Sequence, residues 1–462
     1  LITRNTVSFS GVEFNKMVLI FSVFLGGVIL ALTHAIYQSD CVLLAAGLFL
    51  VCFLVGRVKP GALLLSPDDS VEKNSLFAVA VFFTVLLSQD HELLYADVIW
   101  GVNSLRALTS AAALLALTAA FAAIACPGGL CGRWVKVALG SAAASLIAAR
   151  FMVPIASPEP FIDVFWINTW AVNDFLHGKN PYSQVYPDIY KGHYGYQPGF
   201  TYWPSYLLAA SVSGAFHLDL RFLNVLSDLS FAGILAWFST RSKFTLEMAW
   251  PLALLWLAMP VSLFIIEQAW IDPFMLVLAT GSILAFRFRR FDLAALLGGL
   301  AMASKQYGFI VPALLTVGIL ASIGWKLALR FCLIAGGTLT LIMAPFLVWD
   351  FAGFYKNTVQ ILMVIPMRLD SLTIPAFFVN SFGYEIPGIF LLVSYMAVFL
   401  GCLWKVWRLP KVSSICFAAT FCYGFLFLMG KQASANYYAI VLGLALVALI
   451  EGIQEKDLDR EF

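Results

Sequence analysis

The stretch RFCLIAGGTLTLIMAPFLV, residues 330–348, carries a charge at its first position and then eighteen residues without another. As a helix rising 1.5 Å per residue it spans most of a hydrocarbon core of roughly 30 Å. Apolar runs of 17 to 23 residues recur from Met17 to Ile450. The 462-residue chain is 61% hydrophobic and 12% charged, with a mean hydropathy of +0.89. An ordinary soluble domain has about 25% charged residues. The composition excludes a soluble globular enzyme and predicts an all-α polytopic membrane protein.

Candidate spans are 17–36, 41–57, 74–88, 104–125, 134–154, 200–217, 221–239, 247–266, 271–287, 292–304, 306–322, 330–348, 384–404, 412–430 and 436–451. The first run follows Arg4 and Lys16 and lacks a small-residue cleavage site, so it reads as a retained anchor. A net charge of +2 argues against nucleic acid as a partner. Six of the eight cysteines lie in or beside apolar runs and read as packing residues. Cys126 and Cys131 flank a short loop at a spacing that matches no metal signature.

Short loops rich in Lys and Arg stay cytoplasmic. Arg57 with Lys59, Arg133 with Lys136, Arg287 with Arg289 and Arg290, and Lys405 with Arg408 and Lys411 mark such loops. This puts 89–103, 155–199, 267–272 and 349–383 outside. The scheme is consistent if one of 200–217 and 221–239 does not cross. The better candidate is 200–217, a re-entrant or interfacial element that opens with Thr201, Tyr202, Trp203 and Pro204. About fourteen crossings then follow, with both termini cytoplasmic.

The long outer loop 155–199 is rich in Phe, Trp and Tyr, which argues for order rather than disorder. Within it, 162–177 reads as an amphipathic helix on the membrane surface, because Asp163, Trp170, Asp174 and His177 share one face. Asp163 is either a helix-capping acid or a reactive carboxylate. Glu267, Gln268 and Asp272 sit in a tight turn between two apolar runs, where Asp272-Pro273 is also a good helix start. Paired acids divide roles when their surroundings separate their pKa values. Lys305 and Gln306 interrupt two apolar runs, and an ionisable residue there is functional or snorkels to the interface. With Arg150, Arg368 and Lys431, Lys305 makes four cations on the outer side, an arrangement that calls for an anionic partner such as a lipid phosphate.

In order along the chain, these features resemble the GT-C superfamily of integral membrane glycosyltransferases, which take sugars from polyprenyl phosphates. The resemblance rests on the loop acid Asp163, Gly178-Lys179-Asn180-Pro181-Tyr182, Phe200-Thr201-Tyr202-Trp203-Pro204, the 267–272 turn, the small-residue run 298–305 and Asn436-Tyr437-Tyr438. It covers roughly 134–451, and is nearest in feel to the bacterial polyprenol-phosphate-mannose-dependent and aminoarabinose transferases. It implies a GT-C-like catalytic region over 131–462, preceded by extra transmembrane helices in 1–130. It also implies Asp163 as catalytic base, Asp272 and less directly Glu267 as further catalytic acids, and Lys305 as a lipid-phosphate contact. The chain departs from some relatives in offering Lys431 and Asn436 where they have a histidine.

The expected reaction is an inverting transfer of one hexosyl or pentosyl unit from a polyprenyl-phosphate donor to a lipid, glycan or protein hydroxyl, at the outer face of what is expected to be a bacterial inner membrane. Lys305, Arg368, Lys431 and Arg150 are the candidates for the donor phosphate. Asp174, His177, Tyr196, Tyr202, Trp203, Gln268, Gln306 and Tyr437 are the candidates for the substrate pocket. No cofactor is required; a divalent metal is compatible with the acids, but no ligand spacing demands one. The competing readings are a transporter or flippase for a lipid-linked sugar, and a lipid-linked oligosaccharide ligase or polymerase. No internal repeat favours a transporter.

Overall fold

A segment buried in hydrocarbon must satisfy its own backbone hydrogen bonds, which restricts spanning elements to helices and closed barrels. The computed structural model describes residues 37–55, 93–125, 133–195, 197–241 and 253–459, and every regular element among these is helical. In chain order they are α1 (Ser39–Val55), α2 (Ile99–Ala125), α3 (Arg133–Ala156), α4 (Asp163–Leu176), α5 (Pro204–Ala215) and α6 (Arg221–Arg241). Next come α7 (Pro260–Glu267), α8 (Asp272–Arg287), α9 (Phe291–Met302), α10 (Ile310–Ser322) and α11 (Trp325–Trp349). The chain ends with α12 (Phe351–Tyr355), α13 (Ile361–Val364), α14 (Ile374–Phe382), α15 (Gly388–Arg408), α16 (Val412–Leu428) and α17 (Ala435–Asp459).

Among the described residues four helices are long and apolar enough to cross a membrane: Ile99–Ala119, Arg133–Ala156, Trp325–Trp349 and Gly388–Arg408. A fifth arises if Val261–Glu267 and Asp272–Arg287, bent by 119°, form one span. These helices are consistent with a multi-pass membrane protein. Ile389, Phe390, Leu392, Val393 and Leu400 of α15 point out of the protein, as lipid-facing residues do. The expected spans 17–36 and 74–88, and the loop with Cys126 and Cys131, lie outside the described residues.

Several apolar runs give helices too short to span alone. α5 and α9 have 12 residues each, about 18 Å of helix. The loop expected over 349–383 instead contains α12, α13, a π turn at Lys356–Gln360, and α14. A start signal for α14 was present in the sequence: Thr373 accepts the Ala376 N–H at 3.2 Å and Pro375 sits in the first turn.

Helix α8 lies at the centre and packs against α6, α9, α10, α16 and α17. Small residues permit close helix approach: a Cβ on Gly299 of α9 would lie 2.6 Å from the Ala335 carbonyl oxygen of α11. Polar cross-ties join other helices. Arg150 of α3 pairs with Asp228 of α6, which also accepts Trp256 Nε1–H at 2.8 Å. Arg287 of α8 pairs with Glu451 of α17 at 3.1 Å.

The turn between α7 and α8 has Ala269 at φ 56°, a left-handed conformation that costs a non-glycine residue energy. Two asparagines hold it. Asn168 of α4 donates to the Ala269 carbonyl at 3.3 Å, and Asn224 of α6 donates to the Trp270 carbonyl at 3.0 Å. Helices α2 and α3, on either side of residue 130, lie against each other along their length.

Candidate functional site

Two carboxylates anchor the polar end of the bundle. Asp272 opens α8 and is buried. Lys305, in the turn after α9, donates to both Asp272 oxygens at 3.0 and 3.1 Å. The Tyr307 hydroxyl and the Asn436 amide donate to the same carboxylate. The Lys305 ammonium is also ringed by tyrosines, with Nζ 4.5 Å from the Tyr437 ring centre, 5.0 Å from Tyr307 and 5.4 Å from Tyr202.

Backbone pairing brings the first long loop to this turn. Trp203 N–H donates to the Ser304 carbonyl at 3.1 Å, and Ser205 N–H donates to the Ala303 carbonyl at 2.9 Å. Gln306 extends the seam, donating to the carbonyls of Thr201 at 2.8 Å and Thr358 at 3.0 Å. A Cβ on Gly308 would lie 2.1 Å from the Ala301 carbonyl oxygen, so only glycine lets the chain fold back here.

Asp163 is the first residue of α4 and is half-buried. Its approach is fixed by Arg221, an interior residue that donates to the carbonyls of Ser157 at 2.6 Å and of Pro154 and Pro158 at 3.3 Å. These bonds satisfy carbonyls at the end of α3. Asp163 Oδ1 accepts the Val164 N–H at 2.8 Å, and among the described residues Asp163 forms no ion pair. Burial raises its pKa above the ordinary carboxylate value, opposed by the Val164 N–H and the positive charge of Arg368 and reinforced by the negative charge of Asp188.

A row of aromatic rings stands beside it. The Asp163 N–H points to the Tyr190 hydroxyl at 3.3 Å. Edge-to-face contacts run from Tyr95 to Phe161 (6.5 Å), from Phe161 to Tyr190 (5.7 Å) and from Tyr190 to Tyr194 (5.0 Å). The Arg368 guanidinium lies 3.8 Å from the Tyr194 ring centre. Asp188 shapes the loop locally by accepting the N–H groups of Tyr190 at 2.9 Å and Gly192 at 2.6 Å. Burial pushes the Tyr202 hydroxyl's pKa up, and the negative charges of Asp272 and Asp163 add to the shift.

The other expected site residues are placed as follows. Glu267 is buried and accepts the N–H groups of Leu94 at 2.8 Å and Tyr95 at 2.9 Å, together with Gln268 Nε2–H at 3.1 Å. Arg368 pairs through two nitrogens with Asp370, at 2.8 and 2.7 Å. The Lys431 carbonyl accepts the Arg368 N–H at 3.0 Å, while its exposed ammonium reaches the Met363 carbonyl at 3.4 Å. Asp174 pairs with Lys179 at 3.7 Å, and His177 Nδ1 lies 2.8 Å from the Asn173 carbonyl at the end of α4, so both belong to the opposite end of that helix from Asp163. Tyr196 lies outside the described residues.

Arg150 stands apart from this group. Its guanidinium donates to Asp228, to the Leu146 and Leu257 carbonyls at 2.9 and 3.1 Å, and to Ser262 Oγ at 2.7 Å. Among the described residues it shares no hydrogen bond with the Asp163 or Asp272 groups. These bonds tie α3 to α6 and to the chain around Ser262.

Sequence reasoning missed Tyr95, Tyr190, Tyr194, Tyr307, Arg221 and Asp228 as contributors. Asp228 did carry a signal, an ionisable residue inside an apolar run. Tyr95 carried none, because its contribution depends on a bond to Glu267 across 172 residues. Among the described residues no three His, Cys, Asp or Glu side chains group as a metal would require. No family model, no curated protein and no solved structure matches this chain.

Proposed function

We propose that the chain is an inverting glycosyltransferase that moves one sugar from a polyprenyl phosphate to an acceptor hydroxyl. On this reading the fold is GT-C-like, with about fourteen crossings, cytoplasmic termini and the site on the outer face of a bacterial inner membrane, by the Lys and Arg bias of the loops. The observation that carries it is a half-buried carboxylate, Asp163, that forms no ion pair among the described residues and stands across an aromatic wall from a cation, Arg368. A sugar hydroxyl is a poor nucleophile, and a positioned base is worth about 10²- to 10⁴-fold. A cation beside the leaving phosphate stabilises the charge that grows there.

The step balances as a single displacement. The acceptor O–H proton passes to Asp163 as the oxygen bonds to the anomeric carbon. The bond from that carbon to the phosphate oxygen breaks, and the electron pair leaves with the lipid phosphate. Arg368, with Lys431, receives the phosphate. Lys305, already held by Asp272 and ringed by tyrosines, positions the Tyr202 and Tyr437 side of the pocket and contacts phosphate only by releasing an Asp272 oxygen.

The test is purified protein in lipid nanodiscs, given a panel of synthetic polyprenyl-phosphate sugars and acceptors, with products read by mass spectrometry. A new glycosidic bond of inverted configuration, abolished in a folded Asp163→Asn variant, is the expected result. Undiminished transfer by that variant would overturn the reading.

A second reading, a transporter or flippase for a lipid-linked sugar, draws on the 119° break between Val261–Glu267 and Asp272–Arg287, since broken helices line many transport sites. Substrate movement into sealed vesicles without bond formation would favour it. A ligase for lipid-linked oligosaccharides is distinguished by a requirement for long donor glycans.

A further inference from the structure

Glu267 is fully buried, yet among the described residues it does not pair with a cation. Its two carboxylate oxygens are spent on the backbone N–H groups of Leu94 and Tyr95, at 2.8 and 2.9 Å, in the chain that precedes α2. Charge-assisted hydrogen bonds of this kind are among the stronger ones in a folded chain. The same short segment is held a second time, by the N–H groups of Asp97 and Val98 on the Ala156 carbonyl, at 3.1 and 3.2 Å. Two independent anchors therefore fix the backbone that carries Tyr95, whose ring meets Phe161 at the edge of the Asp163 wall.

The wall has a consistent chemistry. Phe161 is 53% exposed and stands between the rings of Tyr95 and Tyr190. Tyr95 and Tyr194 hydroxyls have no hydrogen-bond partner among the described residues, and burial, with the negative charges of Glu267 and Asp163, pushes the Tyr95 pKa up. Aromatic faces receive the C–H face of a pyranose, while phenol hydroxyls donate to or accept from its hydroxyl groups. A polyprenol alcohol offers one hydroxyl on an apolar chain and leaves the phenols without partners. A serine or threonine brings a peptide backbone, for which this surface has no sheet edge among the described residues.

We infer that Tyr95, held in place by Glu267, forms with Phe161, Tyr190 and Tyr194 a subsite for the sugar ring of the acceptor, so that the acceptor is a glycan and the N-terminal section supplies part of its recognition. This rests on Asp163 being the base of the proposed transfer, and it gives the segment that leads into α2 a task in the reaction. Tyr95 is a specificity residue, because it meets the acceptor rather than the donor.

The experiment has two arms, both on the full chain in nanodiscs. In the first, methyl hexopyranosides are tested for binding by saturation-transfer NMR against wild type, Tyr95→Phe and Tyr194→Phe. Hexan-1-ol and a blocked serine amide serve as competing probes. Binding of the pyranosides alone, weakened in both variants, is expected. In the second, Tyr95→Phe raises the acceptor KM about tenfold, the loss of one hydrogen bond, while the donor KM stays within about twofold. A structural defect would move both constants and lower thermal stability. Pyranoside binding that depends on Tyr95, found without any transfer, upholds the subsite and overturns the transferase reading. Transfer with an acceptor KM indifferent to Tyr95, or preferred use of the alcohol or the serine amide, overturns the subsite and upholds the transferase.

Discussion

Asp163 and Asp272 each begin a helix, and each lies in a turn that the amino-acid sequence marks as acidic, yet the fold treats them in opposite ways. Asp272 is buried and accepts from Lys305, Tyr307 and Asn436. Asp163 is half-buried and accepts the neighbouring Val164 N–H, with Arg368 acting on it from a distance. A carboxylate whose lone pairs are filled holds structure together. One left partly unfilled can take a proton.

The largest expected effect separates them by activity. Asp163→Asn lowers transfer by about 10²- to 10⁴-fold with the protein still folded, measured as initial rate per folded molecule. Asp272→Ala, in contrast, leaves the Lys305 ammonium buried and alone, at a cost of about 3–5 kcal/mol. Its signature is loss of folded yield and of thermal stability in detergent. If Asp163→Asn unfolds the protein while Asp272→Ala stays folded and inactive, the roles are reversed.

An intermediate effect belongs to the third acid. Glu267→Ala strips the Leu94 and Tyr95 N–H groups of a charged acceptor, each bond worth about 1.5–3 kcal/mol. Hydrogen exchange then rises in 93–98 before it rises in α8. Equal protection in wild type and variant would show that the Ala156 carbonyl bonds suffice.

The pH dependence sharpens the comparison further. Burial raises the Asp163 pKa, so the folded chain holds that proton more tightly than the unfolded chain does. Its contribution to stability is present at acid pH and is lost as pH rises through the folded value. Asp163→Asn is therefore at least as thermally stable as wild type at neutral pH, with the gap closing on acidification. Activity runs the other way, falling as pH drops through the same value. The groups facing Asp163 are Arg368, Asp188, Tyr95, Tyr190, Tyr194 and Tyr202. The smallest effect follows from the only cation of this set: Arg368→Gln removes a positive charge that favours the carboxylate, so the acid limb of the rate profile moves to higher pH. A limb that moves to lower pH, or none at all in wild type, breaks the assignment of Asp163 as base.

Several of the polar interruptions that the fold brings together were legible in the sequence. The helix expected over 162–177 is Asp163–Leu176. Asp272, Lys305, Tyr202 and Tyr437, chosen from four separate stretches, meet around one ammonium. Lys305 was readable because a charge between apolar runs is costly and therefore kept for a purpose. Arg150 was readable for the same reason, but not its partner: Asp228 lies 78 residues away, and sequence spacing does not reveal which buried acid answers which buried base.

The sequence by itself determined that the described chain is helical and that several helices are fit to cross a membrane, because composition and run length set the free energy of placing a segment in lipid. It also marked the stretches where charge interrupts that pattern. Only the tertiary structure decided which charges cancel one another and which carboxylate stays open. It alone showed that Glu267 carries Tyr95 to the edge of the Asp163 wall. Pairing of buried polar groups is a property of distance in space, and helices that pack side by side bring together residues that the chain keeps far apart.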